Sequence, residues 1–178
     1  MTDDCGITLE QLLKARDERA EKQRELIKKY GMPLVSLTVN MPGKYKRTVV
    51  SSKIFNEGCN VLRKKLEEIG SSPQYCEMRE LNTGPEAYFV VESDEYALKE
   101  FVLQLENRHP LGRLLDFDVI GINGYIISRE ELGYPKRKCL LCDEDAHVCV
   151  RSRAHPLELL QDKIQSIAEE YFRERVIK

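Results

Sequence analysis

The apolar period of this chain changes along its length in a set order, and that order limits the folds open to it. In "PLVSLTVNM" the period is two: Val35, Leu37, Val39 and Met41 take one side, and Ser36, Thr38 and Asn40 the other, as in a half-buried strand. In "SSKIFNEGCNVLRKKLEEIG" the period becomes helical. Ile54, Phe55, Leu62, Leu66 and Ile69 face inward, Ser51 or Ser52 caps the helix and Gly70 ends it. "QYCEMREL", a turn at "NTGP" and "EAYFVVES" read as paired strands. Ser93 caps the next helix, whose apolar face is Leu98, Phe101, Val102 and Leu105, and Pro110 stops it. "GRLLDFDVIGINGYII" follows as a strand and hairpin. The order β-α-β-β-α-β predicts an α+β, ferredoxin-like fold with an antiparallel or mixed sheet and helices on one face.

Helices flank this unit. "LEQLLKARDERAEKQRELIKKY" lies between Thr8, an N-cap with Gln11 three residues on, and Gly31, a C-terminal stop. Its stripe of Leu9, Leu12, Leu13, Ala20, Leu26, Ile27 and Tyr30 is interrupted by Arg16 and Gln23. Polar residues there either snorkel to water or face a ligand. A last helix follows a Cys-rich loop over 139–155, and residues 1–178 are expected to form one domain. Charged residues are 33% of the chain but sum to −2, which argues against a DNA-coating protein. No apolar run reaches the roughly 18 residues of a membrane span. "MTDDCGITLEQ" lacks the apolar core of a secretory signal, so the cytoplasm is the expected location.

The strand "LLDFDVI" carries the main chemical signal. Asp116 and Asp118 share one side of it, about 7 Å apart at 3.3 Å per residue. Two such carboxylates can converge on a divalent cation, and oxygen ligands favour Mg²⁺ or Mn²⁺. Asn123-Gly124 suggests a two-residue type I′ turn. That register sets Ile120 opposite Ile127, Asp118 opposite Arg129 and Asp116 opposite Glu131, which makes Glu131 a third candidate metal ligand. An edge strand with one face in water carries the same D-x-D pattern.

Of the six cysteines, Cys139, Cys142 and Cys149 cluster, with His155 or His147 as a fourth ligand for Zn²⁺. A reduced, metal-free thiol loop is preferred over zinc here, because only one C-x-x-C is present. Cys5, Cys59 and Cys76 read as scattered core or surface thiols. Arg151 and Arg153 alternate, so in an extended segment both reach one side and suit phosphate. Lys44, Lys46 and Arg47 form a basic loop, while Lys136, Arg137 and Lys138 read as a solvated one.

In order along the chain, "ARDERAEKQ", "LVSLTVNMPGKYK", "NTGPEAYFVV", "HPLGRLLDFDVI" and "CLLCDEDAHVCVRSRAH" resemble the apo-citrate lyase phosphoribosyl-dephospho-CoA transferase family, also called holo-citrate lyase acyl-carrier-protein synthases. The family pattern reads Asn-Ile-Pro-Gly-Pro-x-Lys where this chain has "NMPGKYK", so Lys46 keeps its place and no role carries over to Lys44 or Tyr45. The resemblance implies a nucleotidyltransferase-like fold. It also implies transfer of the 2′-(5″-triphosphoribosyl)-3′-dephospho-CoA group to a serine of the citrate lyase acyl carrier protein, with release of pyrophosphate. Asp116 and Asp118 would be the catalytic pair holding Mg²⁺. Arg16, Gln23, Lys46, Arg113, Arg151, Arg153 and His155 would bind the substrate, and the Lys136–Lys138 stretch suits an acidic carrier. Neither nucleic acid nor a membrane is an expected partner. Two rivals use the same features. One is a polymerase- or cyclase-like palm. The other is a non-catalytic module with a zinc knuckle that binds protein or RNA, the latter through exposed Tyr88 and Phe89.

Overall fold

The computed structural model describes residues 6–176; Cys5 lies outside them. Helix α1 (Leu9–Tyr30) leads into strand β1 (Leu34–Val39), helix α2 (Val49–Glu68), strands β2 (Tyr75–Leu81) and β3 (Gly84–Val90), and helix α3 (Glu95–Arg108). Strands β4 (Leu115–Ile120) and β5 (Ile126–Ile127) and helices α4 (Ala146–Ser152) and α5 (Leu157–Val176) complete the order. The sheet runs β2-β3-β1-β4-β5 with every pair antiparallel. Its first four strands have the ferredoxin-like order predicted from the succession of periods.

The sheet is covered on both sides. Val35, Leu37, Phe89, Phe117 and Val119 point into the larger core, which α2, α3 and α5 close with Phe55, Leu62, Val102 and Ile164. The opposite face meets α1 in a smaller cluster of Leu26, Ile27, Leu34, Tyr88, Val90 and Ile120.

Several local expectations hold and others move. α1 begins at a Thr8–Gln11 capping box and stops at Gly31, whose φ of 64° suits a residue without Cβ. Its buried residues are Ala15, Leu26 and Ile27, whereas Leu9 and Leu13 are exposed, so the inward face is rotated from the predicted stripe. α2 starts earlier than expected: Thr48 caps it and Ser51 closes a capping box as N3, while Ile69 lies outside the core. Asp94, not Ser93, caps α3, because its carboxylate reaches the backbone N–H groups of Tyr96 and Ala97. Among the described residues, no helix is long and apolar enough to cross a membrane.

Candidate active site

Opposed residues of neighbouring strands share a face, so the sheet register lays its side chains out in rows. On the α1 face one row is Arg79, Glu86, Thr38 and Asp116; the next is Glu77, Tyr88, Ser36 and Asp118; the third is Tyr75, Val90, Leu34 and Ile120. α1 runs across these rows, advancing about one row per helical turn, since 5.4 Å of helix pitch nearly matches two residues of strand. Leu26 and Ile27 sit on the apolar row. One turn earlier Gln23 donates to Ser36 Oγ at 3.1 Å and Lys22 lies 3.3 Å from Glu77. A further turn back, Arg19 pairs with Glu86 at 2.9 Å. Gln23, one of the two polar interruptions of the α1 stripe, thus covers a polar row of the sheet together with Lys22, and Arg19 covers the next.

Glu86, only 1% exposed, is held by Arg19, by Arg79 at 3.1 Å and by the Tyr88 hydroxyl at 2.7 Å. A buried carboxylate with this many donors is fully hydrogen-bonded and fastens α1 to β3.

The aspartates lie beside this anchor on β4. Arg137 reaches Asp116 at 3.1 Å and also pairs with Glu106. The Asp118 carboxylate accepts no hydrogen bond among the described residues. Burial, and then the charge of Asp116, push it up to about 6. The donor set thus consists of two neighbouring carboxylates, one of them half-buried and without a hydrogen bond among the described residues, which fits a divalent cation with oxygen ligands.

The edge of β4 explains the surrounding charges. β5 pairs only with Val119 and Ile120, which leaves the Phe117 peptide groups without a strand partner on that side. Two α3 side chains take its place: Phe117 N–H donates to Glu106 at 3.0 Å, and Lys99 donates to Phe117 O at 3.1 Å. Both are buried. Burial lowers the Lys99 pKa, opposed by Glu106, Asp118 and Asp116. Burial likewise raises Glu106, opposed by Arg137 and the Phe117 N–H. Arg129 adds a second pair to Glu106 at 3.1 Å.

Two clefts adjoin one another near Asp116, which lines the smaller. That cleft, of about 190 Å³, lies between α1 and the ends of β1 and β3, and is lined by Arg16, Arg19, Thr38, Lys46 and Asp116. Ala15, Lys46 and Thr83 also line a larger open cleft of about 1070 Å³. Its walls add Lys14, Arg47 and Lys53 and the first turn of α2. Lys46 stands at the junction, donating to Met41 O, and burial followed by the charge of Arg16 lowers its pKa.

The other predicted site residues scatter. Gln23 lies above the Asp118 row but is spent on Ser36. Arg113 donates to Lys138 O. The hairpin register differs from the expected one: Ile120 pairs with Ile126, Gly124 N–H closes a wider turn onto Gly121 O, and the ladder ends at Ile127. Arg129 therefore meets Glu106 rather than the aspartates, and Glu131 bonds the Tyr125 hydroxyl and the Ser128 N–H in a short 3-10 turn. Arg151 and Arg153 are not extended either. Arg151 lies in the last turn of α4 and Arg153 caps it in the left-handed region at φ 50°, both exposed. Arg137, expected in a solvated loop, is the cation on Asp116.

Sequence reasoning passed over Arg19, Lys99, Glu106 and Arg137. Lys99 and Glu106 carry a usable signal, since with Leu103 they fall at i, i+4 and i+7 on an otherwise apolar stripe of α3. Arg137 carries none, because only chain closure brings it to Asp116. Tyr88 and Phe89 are fully buried; they cannot stack on bases, which removes the RNA-binding module.

The Cys-rich loop closes on itself. Ligand atoms of Cys139, Cys142, Cys149 and His155 all lie within 4.8 Å of one another. His147 is exposed and stands outside the group.

The family model described as apo-citrate lyase phosphoribosyl-dephospho-CoA transferase matches residues 7–171. A probable apo-citrate lyase phosphoribosyl-dephospho-CoA transferase of Vibrio cholerae is 39% identical over 169 residues, covering 94% of this chain and 95% of its own length. An apo-citrate lyase phosphoribosyl-dephospho-CoA transferase of Escherichia coli is 36% identical over 162 residues, covering 91% and 88%. Protein CitXG of Haemophilus influenzae is 36% identical over 170 residues, which are 96% of this chain and 37% of that longer protein.

Proposed function

Because the chain belongs to the apo-citrate lyase phosphoribosyl-dephospho-CoA transferase family, we propose that it transfers the phosphoribosyl-dephospho-CoA group to a serine of the citrate lyase acyl carrier protein in the cytoplasm. The donor is 2′-(5″-triphosphoribosyl)-3′-dephospho-CoA. The serine oxygen bonds to the α-phosphorus, the bond from that phosphorus to the bridging oxygen of the β-phosphate breaks, and pyrophosphate leaves. The observation that carries this reading is the Asp116–Asp118 pair beside a cleft walled by Arg16, Arg19 and Lys46.

Such a transfer depends mostly on positioning and on neutralising charge. Arg16 and Lys46 bind the triphosphate where the two clefts meet. The larger cleft, with Lys14, Arg47 and Lys53 on its walls, has room for the dephospho-CoA portion. Mg²⁺, held by Asp116 and Asp118, would supply positive charge to the triphosphate and relieve the repulsion between the two carboxylates. Asp118 takes the serine proton. Arg137 holds the Asp116 carboxylate in place beside the cleft.

Labelling of apo-carrier protein tests this. Asp116→Asn and Asp118→Asn should each lower the transfer rate by about 10²-fold or more. Near-normal labelling by either variant would sink the assignment. Pyrophosphate release from an ordinary nucleoside triphosphate without carrier protein would favour a palm-type enzyme instead.

A further inference from the structure

We propose that Cys139, Cys142, Cys149 and His155 form a structural zinc site, and that the metal fastens the segment carrying Arg137 against the aspartate strand. Three thiols and an imidazole are the soft and borderline donors that select Zn²⁺. The distances agree with one ion at their centre. Zn–S bonds of about 2.3 Å imply tetrahedron edges of about 3.8 Å. Cys142 Sγ lies 3.5 Å from Cys149 Sγ and 3.3 Å from His155 Nε2. The knuckle is also shaped for a thiolate, since Leu141 N–H points at Cys139 Sγ at 3.5 Å. None of the three cysteines is in a disulfide.

Packing around the tetrad gives an independent reason. α4 has seven residues, of which only Cys149 is buried, while Val148 and Val150 are exposed. A helix this short does not persist on its own propensity, and the loop brings it little apolar cover. A metal joining the knuckle, α4 and the turn into α5 supplies what the missing core does not. Chain closure thus reverses the preference for a metal-free loop that the ligand spacing alone suggested.

The tetrad is continuous with the active site. Cys139 N–H donates to Glu144 O and Ala146 N–H to Arg137 O, each at 2.8 Å, and Lys138 pairs with Asp145 at 2.9 Å. Arg113 holds Lys138 O from the β4 side. Arg137, two residues before the first ligand, then reaches Asp116 and Glu106. It is a positioning residue, and the zinc sets the backbone from which it reaches. This fastening role rests on the reading of Asp116 given above, whereas the metal site does not.

The test uses the full chain purified under reducing conditions. Metal analysis should find one zinc ion per chain. Replacement by Co²⁺ should give the visible absorption of tetrahedral thiolate coordination, which Cys142→Ser should abolish. Removal of the metal by a chelator should speed hydrogen exchange at the Cys139 and Ala146 amides by about tenfold or more, and leave the Phe89 amide unchanged. Protein without stoichiometric zinc that also yields no cobalt spectrum overturns the metal site, whatever the transfer assay shows. Unchanged exchange at those two amides on chelation overturns the fastening role.

Discussion

At the scale of single residues, the candidate site sets like charges close together. Asp118 illustrates this. Its carboxyl, ordinarily near 3.8, is raised to about 6. Between those values the folded chain holds a proton that the unfolded chain has released, so the associated stability is present at low pH and is lost as pH rises through about 6. At pH 8, without metal, Asp118→Asn should therefore stabilise the protein, on the order of 1–2 kcal/mol, although its transfer rate should fall. Urea unfolding at pH 8 checks this, and a midpoint below wild type would mean that the carboxylate already has its counter-charge. Added Mg²⁺ should raise the melting temperature of the wild type and not that of Asp118→Asn. Glu106 makes the opposite case, being buried with Phe117 N–H, Arg129 and Arg137 all directed at it. Glu106→Ala strands the Phe117 amide and two arginines, and should cost on the order of 3 kcal/mol by the same measurement.

At the scale of elements, the placement of α1 decides what the polar sheet face can do. The helix is tied down by an apolar contact at its C-terminal half and by Arg19 on Glu86 in its middle. Its N-terminal half is left to form the cleft wall with Arg16. Arg19→Ala leaves Arg79 and Tyr88 on Glu86, so the expected loss is about 1–3 kcal/mol rather than that of a bare buried charge. Its transfer rate should fall further than its stability predicts, because the wall tilts; a rate equal to wild type at a temperature where the variant is fully folded would contradict that. The turn before β4 is equally constrained. A Cβ at Gly112 would lie 2.2 Å from Glu106 O, a backbone atom that cannot step aside, so Gly112→Ala must displace the α3 terminus and Glu106 with it. The ends of these elements were only partly legible. The Thr8 and Gly31 signals for α1 were correct, but Thr48 took the role given to Ser51 or Ser52, because any hydroxyl a few residues upstream can cap once the chain turns there. The short β5 was misread because an Asn-Gly pair favours a tight turn, whereas Asn123 Oδ1 accepts from Tyr125 N–H within a wider one.

At the scale of the whole molecule, α5 returns the chain to α2. Ile164 and Ala168 enter the larger core, and the Tyr171 hydroxyl donates to Glu57 at 2.7 Å. Ile164→Ala should cost about 2–5 kcal/mol, read from chemical denaturation, and a cost below 1 kcal/mol would mean that α5 is only loosely attached. What the sequence by itself determined was everything that depends on near neighbours. It set the alternation that makes β1 and β4 strands, the order of elements that yields the antiparallel ferredoxin-like sheet, the common face of Asp116 and Asp118, and the resemblance to one transferase family. Only the tertiary structure decided which charges meet those aspartates. Arg19 reaches Glu86, Lys99 and Glu106 fill the open edge at Phe117, Arg137 turns back onto Asp116, and His155 rather than His147 joins the thiols. The physical reason is range. Periodicity and capping act over a few residues along the chain, whereas an ion pair between distant segments exists only after the sheet has paired and the helices have packed, and no local pattern records which segments will then be adjacent.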